Sequence, residues 1–200
     1  MSMFSSPTSG PLRIPSSFGV LLVRFPAGVF FLCLLILCVL RGTGKTSTLI
    51  EVIKQLLTTN PDAKILACAP SNTASDLILT RLASGRGPIS TTRMFRLNAP
   101  SRNPMEVDKL VKDYSFLEKE RGTDRFSIPD RGELKRFSVI VATCISAGLI
   151  YSLGVDSGHF SYICIDEAGQ ATEPEVIVPL AGLFSPQCRM ILAGDHMQVR

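Results

Sequence analysis

One stretch of the sequence decides the fold, an apolar run that ends in two acids: Ser161-Tyr162-Ile163-Cys164-Ile165-Asp166-Glu167-Ala168-Gly169-Gln170. Such a run is typical of a buried parallel strand, and ligands of open α/β sheets collect at the carboxyl ends of these strands. Asp166 is suited to holding a hard cation such as Mg²⁺, because that ion takes oxygen ligands. Glu167 is suited to taking a proton from an attacking water. An Asp-Glu pair alone is a weak signal, since a solvated strand end has the same composition.

A glycine-rich turn upstream strengthens the signal: Gly42-Thr43-Gly44-Lys45-Thr46. Apolar side chains follow it at helical spacing, at Leu49, Val52, Ile53, Leu56 and Leu57. A glycine-rich turn that opens a helix presents backbone N–H groups to an anion. Lys45 would reach the terminal phosphates, and the Thr46 hydroxyl would complete a Mg²⁺ shell. The turn and the acidic strand end together predict a nucleoside triphosphate site, against the alternative of a chance Gly-Lys-Thr turn.

Size and composition limit the number of domains and the kinds of site that the chain can contain. The chain has 200 residues, 46% of them hydrophobic, which is enough for one domain with a sizeable core. Its net charge of +4 is compatible with nucleic-acid binding without establishing it. None of the six cysteines forms a Cys-x-x-Cys pair, which argues against a zinc site and predicts reduced, buried thiols in an intracellular protein.

The N-terminal region divides into two segments. Residues 1–17 are rich in Ser, Pro and Gly and predict a disordered leader. Residues 18–40 are almost wholly apolar, but the uninterrupted part is about fourteen residues, below the roughly twenty that a spanning helix needs. Three interpretations remain open: a membrane anchor, a signal-peptide core, or a buried first strand at Leu34 to Leu40 that precedes the glycine-rich turn.

Strand and helix patterns alternate from Arg41 onward, which predicts a parallel sheet with helices on both faces. Residues 98–136 carry many charges and are predicted to form a surface insertion with one helix, at about Met105 to Glu120. The chain stops seven residues after the predicted strand 189–193, and polar residues follow that strand at the sheet edge, so we expect a truncated domain. The predicted strands are 64–69, 94–97, 137–143, 160–165 and 189–193, and the predicted helices are 47–57, 71–84, 145–153 and 173–183, with Pro179 as a candidate break in the last.

These motifs in this order resemble the first RecA-like domain of superfamily 1 RNA helicases, most nearly the Moloney-leukaemia-virus-10 (Armitage-like) group. The resemblance covers residues 41 to about 198, and we expect a RecA-like P-loop NTPase domain there. The matching stretches are Gly42–Thr46, Ile65–Asn72, Met94–Arg102, Val141–Gly148, Asp166–Glu175 and Gly194–Gln198.

The resemblance implies a role for each matching residue. It implies ATP and Mg²⁺ as cofactors, with Lys45 and Thr46 holding the triphosphate and the metal, Asp166 sharing the metal and Glu167 activating water. Nucleotide contacts extend over the whole turn, and Gln170 and Gln198 would sense the terminal phosphate. Single-stranded RNA would be contacted at Pro70, Ser71, Asn72 and Thr143, whose residue types suit phosphate and sugar. Helix capping is the alternative role for Ser71 and Asn72, and both roles can hold at once.

The sequence departs from the family at the start of the phosphate loop. The first glycine of Gly-x-x-x-x-Gly-Lys-[Ser/Thr] should fall at position 39, and the residues there are Val39-Leu40-Arg41. A β-branched residue does not readily replace glycine where the backbone must approach a ligand. Everything before Arg41 lacks family likeness, and we hypothesise a join in the sequence at residues 40–41.

A second RecA-like domain, which supplies an arginine to the transition state in these helicases, is expected to be missing. Arg41, Arg81 and Arg102 are not credible substitutes for that arginine. Three functions therefore compete. The first is the ATPase half of an RNA helicase in cytoplasmic ribonucleoprotein granules and silencing complexes. The second is a non-catalytic, truncated RNA-binding isoform, and the third is a form tethered to a membrane through residues 18–40.

Overall fold

Strands and helices alternate through residues 19–23, 34–38, 44–120 and 122–194, which are those that the computed structural model describes. In chain order the elements are β1 (Gly19–Val23), β2 (Leu34–Cys38), α1 (Lys45–Thr59), β3 (Ile65–Ala69), α2 (Asn72–Ala83), β4 (Met94–Leu97), a 3₁₀ turn (Pro104–Glu106), α3 (Lys109–Asp113), β5 (Leu117–Glu120), β6 (Thr123–Phe126), α4 (Arg131–Arg136), β7 (Val139–Thr143), α5 (Cys144–Ser152), β8 (Tyr162–Ile165), α6 (Glu173–Ala181) and β9 (Arg189–Gly194).

The main sheet has the strand order β1-β2-β9-β8-β3-β7-β4. All neighbouring pairs from β2 to β4 are parallel, and β1 joins the edge antiparallel to β2. Parallel strands need crossover connections, and helices supply most of them here. The prediction of a parallel sheet with intervening helices is confirmed.

Both faces of the sheet are covered. Along β3, Ile65, Ala67 and Ala69 belong to the apolar core that includes α1 and α2, whereas Leu66 and Cys68 belong to the core that includes α5. Successive side chains of a strand point to opposite faces, so this alternation assigns one core to each side of the sheet. Continuous apolar runs, without polar alternation, are what a strand buried on both faces requires.

The insertion differs from its prediction. In place of one helix from Met105 to Glu120, the structure has a 3₁₀ turn, the five-residue helix α3 and the antiparallel hairpin β5–β6. Asn103 caps the 3₁₀ turn, and the chain is extended at Val107 before α3 begins. The prediction of a single helix was wrong because the backbone is extended at Val107 and because residues 117–120 pair with residues 123–126 in a hairpin instead of continuing as a helix.

The helix α6 contains Pro179 and is not broken by it. Proline removes one helical hydrogen bond, and α6 ends only two residues later, at Ala181. The candidate break at Pro179 is therefore absent, and the predicted end at Leu183 lies two residues too far along the chain.

The apolar segment at residues 18–40 contributes strands where the structure describes it. Strand β2 lies within Leu34 to Leu40 and pairs in parallel with β9, from Leu34 opposite Met190 to Cys38 opposite Gly194. No helix among the described residues is long and apolar enough to cross a membrane. The predicted leader, residues 1–17, lies outside the described residues.

Four cysteine side chains lie in the described part of the chain, and all four are buried and free, as predicted: Cys68, Cys144, Cys164 and Cys188. Burial raises the pKa of Cys144 to about 12, with a further contribution from the charge of Glu175. Burial also raises the pKa of Cys188 to about 11. These thiols act as small apolar side chains rather than as nucleophiles.

Candidate functional site

The predicted site residues converge on one edge of the sheet. The turns after β3, β4, β7 and β8 all leave the carboxyl ends of parallel strands, and α1 begins at Lys45 soon after β2. Of the predicted residues, Gly42, Thr43 and Gln198 lie outside the described part of the chain. The other predicted residues lie at these turns and helix starts, along the edge where α/β sheets bind ligands.

The helix α1 begins at a glycine. Gly44 is the N-cap, with φ 82° and ψ 30°, and its carbonyl accepts from the Thr48 N–H at 2.9 Å. This left-handed conformation favours glycine, and glycine has no side chain to bond the N–H groups of the first turn. The start of α1 therefore keeps the character of an anion-binding helix terminus.

A side-chain hydrogen bond joins Thr46, in the first turn of α1, to Asp166 at the end of β8. Asp166 is 3% exposed, and its backbone N–H donates to the Cys68 carbonyl at 2.8 Å. The Glu167 N–H donates to Asp166 Oδ1 at 3.0 Å. The two residues predicted to share a metal are thus in direct contact.

Asp166 is a buried carboxylate whose charged form is disfavoured by desolvation. Burial raises its pKa, and the hydrogen bond from Thr46, the Glu167 N–H and the charges of Arg81 and Lys45 offset only part of the rise. A hydroxyl and a carboxylate are oxygen donors that Mg²⁺ accepts, and Mg²⁺ commonly binds one or two protein groups together with phosphates and waters. The residues present fit a Mg²⁺-nucleotide.

Glu167 lies in a tight turn. It has φ 53°, the one positive φ among the described non-glycine residues. Its carbonyl accepts from the Gln170 N–H at 2.8 Å, and the Ala168 N–H donates to Ala193 at 2.9 Å. A Cβ on Gly194 would lie 2.7 Å from the Gly169 nitrogen, so β9 approaches this turn too closely for any other residue. Strain of this kind is concentrated at functional sites.

The side chain of Glu167 has the properties of a proton acceptor. It is half-buried, and burial raises its pKa, with a further rise from the charge of Asp166 and a partial offset from Lys45. A raised pKa brings a carboxylate closer to the operating pH, where general bases are most effective. Gln170, three residues on, is exposed in the same turn.

The residues predicted to contact nucleic acid are partly engaged inside the protein. The Ser71 hydroxyl accepts from the Ala74 N–H at 3.1 Å and caps α2, and Thr143 caps α5 by accepting from the Ser146 N–H at 3.1 Å. Asn72 Oδ1 accepts from Arg96 at 3.1 Å. Pro70 is half-buried, Ser71 and Asn72 are exposed, and Thr143 is buried. The capping role considered for Ser71 is therefore present, whereas Asn72 is the first residue of the helix rather than its cap.

Two arginines near these turns were not assigned a role from the sequence. Arg81, on α2, donates to Ser47 Oγ at 3.0 Å, and its charge acts on Asp166. Arg96 lies fully buried in β4. A single charged residue inside the otherwise apolar run Met94–Leu97 was the available signal for Arg96. The partners of Arg96 are distant in sequence, so no pattern of neighbouring residues predicts them.

The sequence is similar to several helicases. A family model described as an AAA domain matches residues 40–129 and 117–200. The RNA helicase Mov10l1 of Homo sapiens is 41% identical over 158 residues, which cover 79% of this chain and 12% of the relative. The putative helicase mov-10-B.1 of Danio rerio is 39% identical over 159 residues, covering 79% of this chain and 15% of the relative.

A more distant relative and a solved structure agree with these matches. The probable RNA helicase armi of Drosophila melanogaster is 30% identical over 171 residues, covering 80% of this chain and 14% of the relative. This chain therefore spans about one seventh of the length of such relatives. The crystal structure of T4 UvsW superposes with a TM-score of 0.51 at 16% identity, covering 82% of this chain and 27% of that one. At this identity, the likeness to T4 UvsW shows a shared fold.

Proposed function

The chain belongs to the AAA domain family, and from that premise we propose that it is the first ATP-binding domain of an ATP-dependent RNA helicase. The relatives named as RNA helicases support this proposal, as does the fold shared with T4 UvsW. The observation that carries it is the side-chain hydrogen bond between Thr46 and Asp166, because it joins the glycine-started helix to the acidic strand end. A Mg²⁺-nucleotide site needs both parts at one place.

In the proposed mechanism the chain's own residues bind the nucleotide and move a proton. The turn Gly42–Thr46, which includes Lys45, would bind the phosphates, and Thr46 and Asp166 would hold Mg²⁺, which would neutralise phosphate charge. Glu167 accepts the proton of the attacking water at its carboxylate. Gln170 and Gln198 are proposed to sense the terminal phosphate.

Single-stranded RNA is the proposed substrate, held at the turns after β3 and β7. Polar groups at strand ends contact phosphate and sugar without reading base sequence, which suits an enzyme that moves along RNA. The proposal includes cytoplasmic ribonucleoprotein granules and silencing proteins as the setting, on the family resemblance. Because the matched residues are 12–15% of the helicases compared above, unwinding is proposed for a protein of that length, with a second RecA-like domain.

Calorimetry of Mg²⁺-ATP binding tests the nucleotide site. We expect Lys45→Ala to weaken binding at least about 10-fold, since it removes a charge-assisted contact with phosphate. Lys54→Ala is the matched control on the same helix, because Lys54 donates to the carbonyls of Ser84 and Arg86 and lies away from the turn. Equal affinity of the Lys45 variant and the parent would contradict the proposal.

A triple variant, Val39→Gly with Leu40→Pro and Arg41→Pro, separates a working loop from a disabled one. If the parent and the triple variant bind alike, the unusual residues 39–41 are harmless and the domain is an active nucleotide binder. If only the triple variant binds, these residues disable the loop and the chain is a non-catalytic form. Failure of both to bind would remove the ATP-site assignment.

A further inference from the structure

A fully buried arginine anchors the start of α2 to the end of β4. Arg96 Nε donates to Asp76 Oδ1 at 2.9 Å, Nη1 donates to the Leu97 carbonyl at 2.7 Å, and Nη2 donates to Asn72 Oδ1 at 3.1 Å. The Arg96 side chain is 0% exposed. A buried charge is tolerated only when it is paired and hydrogen-bonded, so Arg96 can stay buried only while these three partners remain in place.

A second arginine, from the turn after β4, completes the cluster. Arg102 Nη2 lies 2.5 Å from Asp76 Oδ2, and its Nη1 donates to Asn98 Oδ1 at 2.7 Å. Asn98 in turn donates to Ser115 Oγ at 2.9 Å. Burial alone would raise the pKa of Asp76, but the hydrogen bond from Arg102 and the charge of Arg96 lower it below its ordinary value. One carboxylate thus holds two guanidiniums from two segments.

The cluster is connected to the turn after β7 through Ser75. The Ser75 hydroxyl is buried, 2.9 Å from the Ser71 carbonyl and 3.0 Å from the Ala142 carbonyl. Ala142 immediately precedes Thr143, the cap of α5. The turns after β3, β4 and β7, which follow neighbouring strands, are therefore tied together by buried polar contacts rather than by apolar packing alone.

We propose that Arg96 is a positioning residue for RNA binding, acting through Asn72 and Asp76 on the turn Pro70–Asn72. This inference rests on the proposed function, since it concerns the same RNA-contacting turn. The Ser71 hydroxyl oxygen and the Asn72 side-chain Oδ1 already accept hydrogen bonds inside the protein, so the turn presents its backbone and its remaining side-chain donors to a phosphate in a fixed geometry. Backbone groups bind phosphate well only when their geometry is fixed before the ligand arrives. Arg96 supplies that fixation from inside the sheet.

The matched test compares the same substitution at two arginines, one inside β4 and one just before it. Arg96→Lys keeps the positive charge beside Asp76 but cannot donate to all three partners. Arg93→Lys is the control, because Arg93 is exposed and contacts the Pro61 carbonyl and Ser138 just before β4. The probe is a short fluorescent oligouridine, followed by anisotropy, with Mg²⁺-ATP binding measured in parallel.

We expect Arg96→Lys to weaken oligouridine binding about 10-fold, the effect of one charge-assisted hydrogen bond, and to leave Mg²⁺-ATP affinity within about 2-fold. Arg93→Lys should change neither. In an Asn72→Ala background, Arg96→Lys should weaken RNA binding by less than about 2-fold, because the two side chains act as a unit. Additive losses in this double-mutant cycle would overturn the proposal.

Other outcomes separate the inference from the function on which it rests. If the parent binds no oligouridine, the proposed RNA function fails. If the parent binds and Arg96→Lys binds equally well, only the inference fails. Should Arg96→Lys not fold, Asp76→Asn carries the test, because it weakens the Arg96–Asp76 pair while keeping an oxygen that accepts from Arg96. A loss of about 3-fold in RNA affinity with unchanged nucleotide affinity supports the positioning role, and no loss or a joint loss of both affinities overturns it.

Discussion

The two halves of the sheet's carboxyl edge have opposite characters. On the β2–β9–β8 half, α1 begins at Gly44 without a side-chain cap, Glu167 has a positive φ, and burial raises the pKa of Asp166. On the β3–β7–β4 half, Ser71 and Thr143 close the helix starts with their hydroxyls. There the carboxylate of Asp76 is held by two arginines.

The difference separates groups kept for a nucleotide and its cation from groups that hold the neighbouring turns in a fixed conformation. A helix start without a side-chain cap, a strained backbone and desolvated carboxylates cost folding free energy until a nucleotide and its cation arrive. Caps and fully partnered ions contribute to stability or at least avoid a penalty. Substitutions in the first half should therefore cost nucleotide binding or hydrolysis and spare stability, whereas substitutions at the caps of the second half should cost stability and spare the nucleotide site.

The largest expected effect is on hydrolysis. Glu167→Gln should lower single-turnover ATP hydrolysis by about 10²–10⁴-fold, because it removes a general base, while Mg²⁺-ATP still binds. The midpoint of thermal unfolding should be unchanged or higher, since the charge of Glu167 is unfavourable beside Asp166. Glu51→Gln, at an exposed position of α1, is the control. Equal hydrolysis by the Glu167 variant and the parent would place the base elsewhere.

A smaller effect is expected at the metal position. Asp166→Asn should remove most of the Mg²⁺ dependence of ATP binding, about 10-fold, because it removes the charged metal ligand. At pH 7 it should also raise the unfolding midpoint by about 2–4 °C, the shift that about 1 kcal/mol causes in a domain of this size. The exposed Asp62→Asn is the control.

The stability gain of Asp166→Asn should depend on pH with a definite sign. The folded-state pKa of Asp166 is raised, chiefly by burial, so its contribution to stability is fully present below its ordinary pKa and is lost as the pH rises through the folded-state pKa. The advantage of the variant over the parent should therefore shrink as the pH falls towards about 4. An advantage that grows on acidification would contradict the assignment of a desolvated carboxylate.

The smallest effect is expected at the caps of the second half. Thr143→Ala should lower the free energy of unfolding by about 1 kcal/mol, as the loss of a helix cap does, and leave Mg²⁺-ATP affinity unchanged. Ser152→Ala, near the exposed end of α5, is the matched control. Denaturant unfolding and calorimetry check the two parts. A loss of nucleotide affinity in the Thr143 variant would contradict the claim that the nucleotide site lies on the first half alone.

The parts of the fold that the sequence predicted are those dominated by short-range patterns. Apolar runs with turn residues at their ends located β3, β7 and β8, and the family resemblance assigned Thr46 and Asp166 to one metal site. Such signals work because a strand buried on both faces must be apolar throughout. The elements within residues 105–126 were missed, because this charged segment lacks the apolar alternation by which strands are identified, so the β5–β6 hairpin left no clear pattern in the sequence.

The polar cluster behind the second half could not be predicted for a similar reason. Arg96 is 20 residues from Asp76 in sequence, and Arg102 is 26 residues from it, so no local spacing connects them. The N-terminal region is a different case. Its sequence left a strand, an anchor and a signal peptide open, and the pairing of β2 with β9 became visible only in three dimensions.

Amide hydrogen exchange with and without Mg²⁺-ATP tests the division of the edge most directly. We predict that the nucleotide slows exchange in the first turn of α1, at Lys45 to Ser47, and in the turn at Asp166 and Glu167. The capped amides of Ala74 in α2 and Ser146 in α5 should exchange at the same rate in both conditions. Protection that appears at the first turns of α2 or α5 instead, or nowhere, would contradict a nucleotide site on the β2–β9–β8 half.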